Sequence, residues 1–155
     1  MTEMTMEKNS AWRHERRLIG YAGLAPFIAC LAVFMTTSDA RTITVASDTL
    51  RHYAAVIASF LGAVHWGVLD GRHDPRRHAR LRWGIMPALI GWTLLAIPVK
   101  PALLGYAALF ALILIVDRRF LPLLDDTYRE LRTQLTVVVV ISLLLAAVLV
   151  PGSIG

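Results

Sequence analysis

The feature that most constrains this chain is a set of long stretches with no charged residue. From Leu135 to Val150 the sequence reads LTVVVVISLLLAAVLV. A helix of about 20 such residues matches the roughly 30 Å hydrocarbon core of a bilayer. Composition points the same way, because 56% of the residues are hydrophobic and only 17% are charged, against roughly 25% charged in a soluble domain. A soluble enzyme domain, a disulfide-stapled secreted module and a disordered tail are all excluded. The single cysteine, Cys30, lies in an apolar stretch and has no internal partner, so it reads as a small packing residue.

The sequence predicts an all-α, polytopic membrane bundle of five transmembrane helices. The spans are expected at about 18–35, 53–69, 83–99, 101–116 and 133–150, after a segment 1–17 and before a short tail 151–155. The polar N-terminus precedes an apolar run about twice as long as a signal-peptide core, so the first helix is expected to be retained. The third and fourth spans are separated only by Lys100. Joined, they would make a rod of about 50 Å, too long for one crossing. Pro98 and Pro101 flank the lysine, and proline breaks a helix interior, so a tight hairpin is the better reading. Thr127 and Glu130 have the spacing of a capping box, which places the start of the last helix at Thr127.

Basic residues set the orientation. Of the 16 Lys and Arg, the N-terminus, the second-to-third connection and the fourth-to-fifth connection hold 13, and the opposite side holds 3. Because Lys and Arg accumulate in cytoplasmic loops, this places the N-terminus inside and the C-terminus outside. The net charge of +5 therefore reports topology and attraction to anionic lipid headgroups rather than nucleic acid.

The second span carries the main candidate. Ala54, Ala58 and Gly62 recur every four residues, with Ser59 on the neighbouring row, and small residues at this spacing let membrane helices pack closely. At 100° per residue His65 falls about 20° from that face, so it points into packed protein rather than lipid. An ionisable residue at such a depth is a candidate functional site, although a neutral, hydrogen-bonded His serving only packing is the plainer account. Asp117 stands beside Arg118 and Arg119, and a local ion pair explains it at least as well as proton relay. Trp66, Tyr21, Tyr128, Arg129 and Arg132 are expected near the same interface, where aromatic belts and inside-facing arginines ordinarily lie. Together they could form a pocket with His65 deepest.

No cofactor is expected. Haem ligation would need a second intraspan His, and His52 and His14 lie outside the spans; His73 and His78 lack the Cys or acidic neighbours of a metal site. Ser59 is nearly two turns from His65 and rotated about 120° from it, so no nucleophile sits beside a base.

The runs LIGYAGLAPF, SFLGAVHWG from Ser59 to Gly67, and Tyr128-Arg129 through Leu131-Arg132 to Leu135-Thr136 resemble the family called domain of unknown function 3429. The resemblance extends from Leu18 to about Val150. It implies a five-helix inner-membrane protein and concerted roles for His65, Trp66, Tyr128, Arg129 and Arg132, but no reaction. The chain departs from the pattern at Ala63, where a second Gly is common, and at Thr127, where an aromatic is common.

The expected function is that of a non-enzymatic accessory or assembly partner of a larger complex in the bacterial inner membrane. The alternative is a lipid- or quinone-binding protein or small transporter using the His65 pocket. Membrane lipids, a membrane-protein partner or a second copy are the expected partners.

Overall fold

The computed structural model describes residues 17–67, 77–120 and 126–151. Expectations for the segment 1–16, for His14 and His73, and for the tail beyond 151 lie outside the described residues. The described chain is all helix and turn. After a short helical segment at 17–22 come α1 (Ala25–Thr36), α2 (Ala40–Gly67), α3 (Arg77–Leu94), α4 (Val99–Phe120) and α5 (Asp126–Leu149).

Three segments among the described residues are long and apolar enough to cross a membrane: Arg17–Thr36, Val99–Arg119 and Thr127–Leu149. The chain is thus a multi-pass membrane helix bundle. α2 has 28 residues, about 42 Å at the helical rise, and its first half carries Arg41, Asp48 and Arg51. α3 carries Arg77, Arg80 and Arg82 in its first two turns.

The apolar pattern decides which faces turn inward. α4 is the central helix, burying Leu103, Tyr106, Ala107, Phe110 and Ile113 on one stripe, the spacing that a 3.6-residue turn produces. α1 contributes Phe27, Cys30 and Phe34, α5 contributes Val139, Leu143 and Ala146, and Val150 follows just beyond its end. Phe27 meets Tyr53 edge-on at 5.3 Å and Phe110 at 6.3 Å, the arrangement that ring quadrupoles favour. α2 lays Leu50, Ala54 and Ala58 into the same core, all fully buried.

α2 and α3 approach most closely at two glycines. A methyl group at Gly62 would run into the carbonyl oxygen of Gly84, and one at Gly84 into the Trp66 indole. Further along, Gly91 lies against Ala55, and its carbonyl accepts a 2.6 Å hydrogen bond from the buried Tyr106 hydroxyl. Both contacts join residues whose numbers sum to the same value, as antiparallel helices require. Pro87 of α3 packs beside Gly62; the backbone hydrogen bond it forgoes is offset by this close contact.

The turns depart from expectation by a few residues. The chain reverses at 95–98, and Lys100 and Pro101 lie in the first turn of α4, where proline's missing N–H leaves nothing unsatisfied. Arg51 donates to the Ile97 carbonyl at 2.9 Å and pairs with Asp48, which fastens this turn to α2. α5 begins at Asp126, so Thr127 lies inside the first turn and is not the N-cap. Helix-favouring geometry thus extends one residue past the capping-box signal. Among the described residues a well-formed side-chain cap stands at α2, where Asp39 accepts from the Thr42 N–H at 2.8 Å and from its hydroxyl at 2.7 Å.

Two outcomes follow. Gly62→Val should lower the melting temperature in detergent sharply, whereas Gly67→Val, where nothing lies within 4 Å of an added Cβ, should leave it nearly unchanged. The bonds from Thr42 hold the Asp39 carboxyl below its usual range, so its stabilisation is present above the unfolded-state value. That contribution disappears as pH falls through the lower folded-state value. Acid titration of thermal stability in the native chain and in Asp39→Ala should therefore converge at low pH.

Candidate functional site

Near the C-terminal end of α2, three ionisable side chains from three helices come together. His65 is fully buried, and Asp117 is 8% exposed. Arg132 of α5 donates to Oδ2 of Asp117 from Nε at 2.9 Å and from Nη2 at 2.6 Å. The other carboxylate oxygen, Oδ1, lies 3.3 Å from Nε2 of His65, off the line of a good hydrogen bond. Arg80 of α3 and Arg132 both lie close enough to act on His65 electrostatically. One carboxylate therefore links α2, α4 and α5.

The local sequence explains each placement. His65 continues the buried row of Ala54, Ala58 and Gly62, and the Gly62–Gly84 contact brings α3 against that end of α2. Arg80 lies one turn before Gly84 on the stripe that Pro87 and Gly91 continue. Asp117 lies near the end of α4 and Arg132 in the second turn of α5, and the packing of these two helices sets them face to face. Adjacent helical residues diverge by about 100°, and for that reason Asp117 does not pair with Arg118 or Arg119 as the sequence suggested. Its carboxylate turns to α5, while Arg118 donates to Thr133 Oγ1 at 3.2 Å.

The other predicted site residues surround this cluster without all joining it. Trp66 is 48% exposed and donates its indole N–H to the Leu81 carbonyl at 3.2 Å, tying α2 to α3. Tyr21 donates to Gln134 Oε1 at 2.8 Å, and Gln134 donates to Glu130 at 3.2 Å; this chain of bonds fastens the N-terminal helical segment to α5. Tyr128 is half-buried and Arg129 exposed on the first turn of α5. Ser59 donates to the Ala55 carbonyl at 2.8 Å, which keeps its hydroxyl on its own helix. Sequence reasoning did not find the interhelical role of Asp117, nor Arg80, Gln134 or Tyr106. The available signal was the α4–α5 hairpin, which opposes Asp117 to Arg132.

Chemically, the cluster offers an anchored carboxylate beside an imidazole. Because a carboxylate only accepts, a hydrogen bond between the two would need the hydrogen on Nε2 and would leave a lone pair on Nδ1. Among the described residues, neither ring nitrogen of His65 has a well-aligned hydrogen-bond partner. No group of three or more metal-ligating side chains occurs among them.

Residues 13–148 match the model of the family described as "Protein of unknown function (DUF3429)". The chain belongs to this family. It is also 32% identical over 131 residues to Transmembrane protein 69 of Xenopus tropicalis, an alignment covering 81% of this chain and 50% of that protein. The chain thus spans about half the length of the curated relative it matches. No solved structure matches it.

Removing one member of a buried ion pair strands the other, at a cost of about 3–5 kcal/mol, whereas replacing both with apolar residues is often tolerated. Arg132→Leu alone should therefore lower thermal stability more than Asp117→Leu and Arg132→Leu combined. A loss in the double variant equal to the sum of the two single losses would show that the pair is not coupled.

Proposed function

We propose that this member of the family is a non-enzymatic accessory or assembly partner of a larger complex in the bacterial inner membrane. It crosses the membrane five times, with its N-terminus in the cytoplasm and its C-terminus outside. The 13-to-3 division of basic residues supports this orientation. So do the antiparallel contacts between successive helices, which gather the arginine-rich ends on one side.

The observation that carries the functional reading is how the polar groups at the helix contacts are used. Asp117 binds Arg132, Tyr106 binds Gly91, Tyr53 binds Gly23 and Tyr21 binds Gln134. Each joins residues far apart along the chain, helix to helix or, for Tyr53, helix to the turn before α1, and among the described residues none of these contacts sets a nucleophile beside a base. A chain built this way supplies a shaped membrane surface rather than a reaction. The small-residue face of α2 is occupied within the chain, so a second copy could use that face only by unpacking it. Anionic headgroups suit Arg118, Arg119 and Arg129 at the same end.

A second reading, that of a lipid- or quinone-binding protein or small transporter, is favoured by the buried, unpartnered Nδ1 of His65. In it, Trp66, Tyr21, Tyr128, Arg129 and Arg132 stand around or above the histidine.

Gentle solubilisation from its own membrane, followed by native mass spectrometry, separates the readings. The accessory role predicts a reproducible additional protein mass, and consistent isolation at cellular expression levels would contradict it. A small bound mass lost on His65→Leu, with thermal stability intact, would favour the second reading.

A further inference from the structure

We propose that Nδ1 of His65 accepts a hydrogen bond from the hydroxyl group of a membrane-borne ligand, either a quinol or a lipid such as a diacylglycerol. The inference rests on the second reading above and narrows it to ligands that donate.

Asp117 orients the ring. Its Oδ2 is held by two donors from Arg132, so the carboxylate is fixed in place and its Oδ1 is directed to Nε2 of His65. An acceptor at that position selects the tautomer with hydrogen on Nε2. The lone pair of Nδ1 then lies in a fully buried ring with no partner among the described residues. His52, on the same helix, provides the contrast. Its Nδ1 lies 2.7 Å from the Asp48 carbonyl one turn back, an arrangement that uses a hydrogen on Nδ1. Among the described residues His65 has no such bond, and the acceptor oxygen of Asp117 3.3 Å from Nε2 favours hydrogen on that other nitrogen.

Buried polar atoms almost always find partners. What completes Nδ1 must donate a hydrogen, and a hydroxyl does so without bringing a charge into the bundle. A quinone carbonyl or a lipid ester has no hydrogen to give. The site therefore distinguishes a quinol from its quinone, and a diacylglycerol from its O-methyl ether.

The test is nitrogen NMR of histidine-labelled chain in phosphatidylcholine nanodiscs. His14, His52, His73 and His78 are each replaced by Gln so that His65 alone reports. If that variant does not fold, the difference between wild-type and His65→Gln spectra isolates the same signal. Expected is a neutral ring with hydrogen on Nε2 and a saturable shift of Nδ1 on adding decylubiquinol or dioleoylglycerol. The more effective of the two identifies the source. Decylubiquinone and the O-methylated lipid should leave Nδ1 unmoved.

Hydrogen on Nδ1, or a resonance shifted alike by donors and non-donors, overturns the proposal. So does a resonance that only exchange with solvent water affects. Native mass spectra of the same samples keep the two levels apart. Binding that leaves Nδ1 unmoved defeats this inference alone, whereas retention of none of the four compounds defeats the second reading as well.

Discussion

An ionised side chain inside a bilayer must find its partner within the protein, and in this chain one carboxylate meets that demand for three helices. Asp117 takes both hydrogen bonds of the Arg132 guanidinium on one oxygen and turns the other to His65. A pair of this kind is weak evidence for net stability, because desolvation offsets much of the attraction. Its more certain effect is on register. Sliding α5 against α4 by one residue would turn Arg132 about 100° away and leave a charge among apolar side chains.

That contact depends in turn on how closely the backbones approach. Lipid tails are as apolar as the helices, so packing rather than water expulsion holds membrane helices together. Gly62 and Gly84 remove the side chains that would keep α2 and α3 apart, and the indole of Trp66 occupies the space beside Gly84. The consequence lies three residues further along α2, where His65 is enclosed by α3, α4 and α5. Tyr106 joins helices in mid-bundle as well, its hydroxyl reaching across to the Gly91 carbonyl.

Much of this architecture is legible in the sequence because it follows from periodicity. The apolar runs mark the helices, and the four-residue spacing of Ala54, Ala58 and Gly62 marks the buried face of α2. The same spacing places His65 on that face. Contacts between helices are less legible, because they depend on register. Nothing local indicates that Asp117 turns away from Arg118 and Arg119 toward a residue fifteen positions later. Helix ends are similarly uncertain at the level of single residues. Thr127 carries a capping pattern yet lies within α5, and the reversal before α4 comes ahead of Lys100 rather than at it. The outer candidates fared differently again. Trp66 and Tyr21 share the correct end of the bundle with His65 but bond to the Leu81 carbonyl and to Gln134.

The central claim is that Asp117 links α4 to α5 through Arg132 inside the bundle. Carbon–nitrogen dipolar recoupling between the Asp117 carboxyl carbon and the Arg132 guanidinium nitrogens, in lipid bilayers, measures it directly. A resolvable through-space coupling of the size that hydrogen-bonded partners give is the predicted result. The absence of coupling, with the Asp117 carboxyl exchanging freely with water, would contradict the account.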